Sequence, residues 1–110
     1  MKKIVIILFS VLNSSTFGGL NNDQIKLKNI LYNATEEFLI KDPSSPVLVP
    51  LQYAIKGMQF YRASIYAKDN GKGDKYKKEA SDCFCQALKS QYLPLKVAYE
   101  IRTHIPELTL

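Results

Sequence analysis

Apolar residues along most of this chain recur at intervals of three and four, not two, and that spacing predicts helices rather than strands. From Gln24 to Ile40, the positions Leu27, Ile30, Leu31, Ala34, Phe38 and Leu39 gather on one side of a helix that Asn22 or Asp23 can cap. The segment Lys41-Asp42-Pro43-Ser44-Ser45-Pro46 interrupts the pattern, because its two prolines cannot continue a helix and bias the residues before them to extended backbone. A second helix is expected from Pro50 to Lys68. It carries Leu51, Ala54, Ile55, Met58, Tyr61 and Ile65 at helical spacing, and its Gly57 and Ala63 are small enough to let another backbone approach. Asn70-Gly71-Lys72-Gly73 ends it, since glycine enters the left-handed cap conformation without steric penalty. Asp74 is placed to cap a third helix, Lys75 to Gln91, in which Tyr76, Ala80, Cys83, Phe84, Ala87 and Leu88 share a face. Pro94 suits the first turn of a fourth helix with Val97, Ala98, Ile101 and Ile105 as its stripe. Pro106 ends that helix, and residues 107–110 are expected to fray. The expected fold is all-α, a small bundle of about four helices whose short loops pack neighbours roughly antiparallel.

The N-terminus follows a different pattern. Lys2 and Lys3 precede a stretch from Ile4 to Leu12 that is apolar except for Ser10, and small or polar residues follow at Asn13 to Thr16 and Gly18-Gly19. This is the order of a secretory signal peptide. A membrane-spanning helix needs about 20 apolar residues and this run is about half that, so no stable membrane anchor is expected. Cleavage after Gly18 divides the chain into a signal peptide, residues 1–18, and a single helical domain, residues 19–110, acting in the periplasm or secreted. Loss of Lys2 and Lys3 removes two charges from the formal +5, and most of the remaining basic residues are dispersed. The exception is Lys68 to Glu79, where lysines alternate with acids. That pattern argues against nucleic acid and leaves a surface able to meet an acidic protein partner.

Candidate chemistry is sparse. His104, the one histidine, sits two residues before Pro106 near the end of the last helix, which suits interaction with the helix C-terminus better than general-base work. No Gly-x-Ser-x-Gly motif is present, and Cys83 and Cys85 with a distant His104 lack the spacing and fourth ligand of a metal site. No enzyme activity, catalytic residue, metal or cofactor is expected. Residues two apart on a helix point about 200° from one another, so Cys83 and Cys85 cannot join in a disulfide there. Cys83 shares the buried stripe and Cys85 is the expected exposed thiol, a candidate for an intermolecular bond. Seven tyrosines and no tryptophan supply rigid, amphipathic contact area suited to a protein partner.

Several of these residues fall in a familiar order: Tyr53, Gly57 and Tyr61 on the second helix, Phe84-Cys85 on the third, and Leu95 to Thr103 followed by His104-Ile105-Pro106-Glu107-Leu108. This order resembles the small periplasmic immunity proteins that protect bacteria from type VI secreted peptidoglycan amidases. The chain departs from that pattern in having no cysteine before Cys83 or after Cys85 and in stopping shortly after Pro106-Glu107. The resemblance implies a helical inhibitor that binds a cell-wall hydrolase and blocks its active-site groove, with a homodimer as one form of assembly. Under it, exposed residues of the second and third helices and their loop become the expected contacts: Tyr66, Lys72 and Tyr76. The run from Gly57 to Pro94 also resembles a stretched tetratricopeptide or Sel1-like helix pair, which implies instead a helical-repeat scaffold or accessory subunit of an envelope or secretion assembly.

Overall fold

The computed structural model describes residues 21–67, 71–105 and 108, and the signal-peptide expectation for residues 1–18 lies outside them. The described residues form an all-α bundle of four helices and no strand: α1 (Asn22–Lys41), α2 (Leu48–Tyr66), α3 (Gly73–Lys89) and α4 (Leu95–His104). No described helix is long and apolar enough to cross a membrane.

Local chemistry shifts the helix ends from their expected places. The cap of α1 is Asn21, not Asn22 or Asp23: its Oδ1 accepts from the Gln24 amide at 2.9 Å, and Gln24 Oε1 accepts from the Asn21 amide at 3.0 Å. This reciprocal pair satisfies two helix-end donors at once. Between α1 and α2, Asp42 Oδ1 accepts from both the amide and the hydroxyl of Ser44, which closes the proline-flanked turn. Helix α2 starts at Leu48, ahead of Pro50. A first-turn amide has no intrahelical acceptor, so proline there breaks no hydrogen bond. Gly71, at φ +80°, turns the chain into α3. Asp74 does not cap α3; it lies within the first turn, where its charge faces the positive helix end, and Lys72 holds the cap position without a side-chain bond. Pro94 is likewise the residue before α4 rather than within its first turn.

The broadest interface joins α2 to α3. Gly57 meets Phe84 while Phe60 stacks on Tyr76, so the two helices run in opposite directions. What approaches Gly57 is not another backbone but the Phe84 ring, itself fully buried. Helix α1 packs on α2, and α4 packs chiefly on α1 rather than on its chain neighbour α3. The core joins Leu27 and Leu31 of α1, Leu51, Ala54, Ile55 and Met58 of α2, Ala80, Phe84 and Ala87 of α3, and Val97 and Ile101 of α4. Leu108 is also buried against it, contrary to the expected fraying at that position. Ala80 and Phe84 of α3 are sealed in this core, while Ala34 and Phe38 of α1 are only partly buried against it.

Helix α1 is rotated relative to its hydropathy pattern. Its buried residues are Gln24, Leu27, Lys28, Leu31, Tyr32 and Thr35, which by helical period centre roughly 60° from the expected stripe. Each polar member has a way to be buried. The Gln24 Nε2 donates to the Tyr61 hydroxyl at 2.8 Å, Thr35 Oγ1 donates to the Leu31 carbonyl at 2.7 Å, and Lys28 Nζ lies 4.7 Å over the Tyr32 ring. Burial holds the Lys28 amine below its ordinary pKa and pushes the Tyr32 phenol up to about 12.

Candidate functional site: an aromatic and basic groove between α2 and α3

The antiparallel pairing leaves a groove of about 590 Å3, open to solvent, along the outer seam of α2 and α3. Lys56, Phe60 and Ala63 recur at helical spacing along one side of α2, and Arg62 and Tyr66 close the far end. Lys72 and Tyr76 reach in from the start of α3. Thus the three residues expected to contact a partner, Tyr66, Lys72 and Tyr76, line one groove. They meet because the turn at Gly71 reverses the chain between them.

The groove is built in two parts. At one end Phe60 and Tyr76 stack with centroids 6.4 Å apart and planes 24° from parallel, forming a half-buried aromatic floor. At the other, the Arg62 guanidinium carbon lies 4.9 Å from the Tyr66 ring centroid, and that ring is 56% exposed. Stacking on a tyrosine keeps a guanidinium fixed and partly dehydrated, which raises its value for binding a carboxylate. The Arg62 Nε is out of water with no hydrogen-bond acceptor, a condition that costs about 1–3 kcal/mol. Lys56 and Lys72 are exposed at the rim, and no carboxylate stands among the described lining residues.

The apolar surface continues beyond the groove. Val49 and Tyr53 fall on the same stripe of α2 as Lys56 and Phe60, and they are 57% and 42% exposed. From Val49 to Ala63 the stripe runs roughly 21 Å at the helical rise per residue. A separate exposed stripe, Tyr92, Leu95 and Tyr99, lies before and along α4.

The other singled-out residues do not converge on the groove. Cys83 is buried and Cys85 is half-buried rather than fully exposed, and neither is disulfide-bonded to another described residue. Burial pushes the Cys83 thiol pKa up; Lys56 draws it partly back, and Glu79 and Asp82 raise it further. His104 lies in the last turn of α4, as its spacing from Pro106 led one to expect. Its side chain is only 9% exposed, its Nε2 lies 2.6 Å from Glu100 Oε2, and its Nδ1 lies 3.8 Å from Asp23 Oδ1. It ties the end of α4 to the start of α1, a contact that pairing Asp23 with the last helix could have suggested only once the packing order was known. Among the described residues, no three of His, Cys, Asp and Glu gather as a metal site would require.

The fold class defined by these elements is a small all-α bundle, with a basic and aromatic groove on the outer seam of α2 and α3. In comparisons with known proteins, no family model, no curated protein and no solved structure matches the chain.

Proposed function

We propose that this chain is an exported, non-enzymatic binding protein that inhibits a cell-wall hydrolase by docking its α2–α3 groove on the enzyme and so covering the enzyme's substrate groove. The observation that carries the reading is the convergence of Tyr66, Lys72 and Tyr76 with Phe60, Lys56 and Arg62 on one exposed seam. Tyrosine and arginine are the side chains that dominate binding energy at protein interfaces, because they combine large contact area with few rotatable bonds or a fixed donor fork. The groove's cations and rings suit recognition of a partner surface. The N-terminal Lys2-Lys3 and apolar Ile4 to Leu12 pattern supplies the export address, and the helical immunity-protein resemblance supplies the target class.

Affinity capture of the tagged protein from an envelope extract, with and without reductant, tests this. The expected result is a wall hydrolase whose activity on purified peptidoglycan falls to zero at one equivalent of added protein. A captured hydrolase that keeps full activity overturns inhibition. A second reading, an accessory subunit of an envelope assembly, is favoured by the separate α4 stripe, where Leu95 is 89% exposed and gives the molecule a second apolar face. A multi-subunit complex lost on Leu95→Ser would support it.

A further inference from the structure

We infer that the α2–α3 groove recognises an acidic segment of its partner protein, in which carboxylates flank a large apolar side chain. The inference rests on the reading of this chain as a binding protein and names the chemistry of what is bound. Its first support is charge: Lys56, Arg62 and Lys72 surround the groove and no described lining residue carries a negative charge. Lys56 and Arg62 make no salt bridge with any described residue, so their charges are available to a ligand. The second is the state of Arg62. Held over Tyr66 with its Nε lacking an acceptor, the guanidinium gains a hydrogen bond when a carboxylate draws it outward, and planar bidentate pairing is the geometry it offers.

The third support is shape. The Phe60–Tyr76 pair presents a stacked aromatic floor between the cations, in an open groove of about 590 Å3 that leaves room for a side chain of the partner. An apolar side chain laid on that floor covers surface that is now half-exposed. The exposed Val49 and Tyr53 extend the same stripe, so the bound segment continues along α2 instead of ending in the groove. A nucleic acid would also meet cations and rings. It is disfavoured because that continuation is apolar and because the lysines at the start of α3 are interleaved with Asp74 and Glu79.

The test is fluorescence anisotropy with three labelled probes: a peptide of Asp and Glu flanking a central Phe, its Asn and Gln counterpart, and an oligothymidylate. The acidic peptide should bind at least tenfold more tightly than its amide counterpart, with affinity falling as salt rises. Lys56→Glu and Arg62→Gln should each weaken it about tenfold or more and Tyr66→Ala severalfold, while Leu95→Ser leaves it unchanged; thermal melts identify any variant that has lost its fold. Equal affinity for the acidic and amide peptides, or tighter binding of the oligothymidylate, overturns the inference. The broader reading is scored separately. A hydrolase still inhibited at full strength by the Lys56→Glu, Arg62→Gln double variant removes the groove from the account but leaves inhibition standing. Acidic-peptide binding that follows the pattern above supports the groove even if no hydrolase is inhibited.

Discussion

Replacing Gly57 with alanine sets two effects of similar size against each other, and the structure decides between them. In an open helix interior, Gly→Ala stabilises by about 1 kcal/mol because alanine loses less backbone freedom on folding. At position 57 the new Cβ would stand 2.9 Å from Phe84 Cε2 and 3.0 Å from both Cδ2 and Cζ. Carbon atoms prefer about 3.5–4.0 Å, so ring and helix must part by on the order of 0.5–1 Å. Phe84 is fully buried against Ala80, Ala87 and the α2 face, which leaves the ring little room to yield. Overpacking of this kind costs about 1–3 kcal/mol, so the expected net effect is destabilisation by about 1 kcal/mol. Urea unfolding followed by circular dichroism measures it. In a domain of this size the melting temperature should fall by about 4–8 °C for each kcal/mol lost. The decisive comparison is a double-mutant cycle with Phe84→Leu. Once the ring is gone, Gly57→Ala should become neutral or stabilising, giving a coupling of about 1–3 kcal/mol between the two sites. If Gly57→Ala stabilised the wild-type protein by about 1 kcal/mol, or had the same effect in both backgrounds, the close packing of α2 on α3 would be wrong.

Three further outcomes follow from the packing. Gln24→Ala removes both half of the α1 capping box and the buried bond to Tyr61, and should destabilise by about 1–3 kcal/mol in urea unfolding. Tyr32, held to about 12, stays neutral in the folded protein after the unfolded chain's phenol has ionised near pH 10. The unfolded state thus loses its proton first, stability falls as pH rises through that window, and Tyr32→Phe should flatten the decline in alkaline melts. In native protein a thiol reagent should modify half-buried Cys85 before buried Cys83, whose thiol is also held protonated by desolvation; peptide mapping showing the reverse order would contradict the orientation of α3.

The number, order and approximate bounds of the helices were legible because the apolar spacing of three and four persists through each, and glycine or proline marks every break. The face of α1 was not, because hydropathy treats Gln24, Lys28 and Thr35 as outward residues. They are buried because Tyr61, Tyr32 and the Leu31 carbonyl provide partners that become visible only after α1 and α2 are packed. The Asn21 cap was readable in principle from the asparagine-x-x-glutamine spacing. Tyr66, Lys72 and Tyr76, the expected contacts, line one groove, and Lys56, Phe60 and Arg62 line it with them. Their membership depends on the pairing of Phe60 with Tyr76, a long-range contact that no local pattern encodes. The place of His104 in the last turn of α4 was legible, but its approach to Asp23 was not, because the two residues lie far apart in sequence.

Docking of the partner on the α2–α3 groove is a proposal that lysine acetylation footprinting by mass spectrometry can decide. The protein is modified alone and in complex with the captured hydrolase, and protection is compared at exposed lysines on different helices. Lys56 and Lys72 should be protected severalfold in the complex, while Lys26 on α1 and Lys96 on α4 keep their free reactivity. Protection at Lys26 or Lys96, with Lys56 and Lys72 unchanged, would place the partner on the other side of the bundle and contradict the claim.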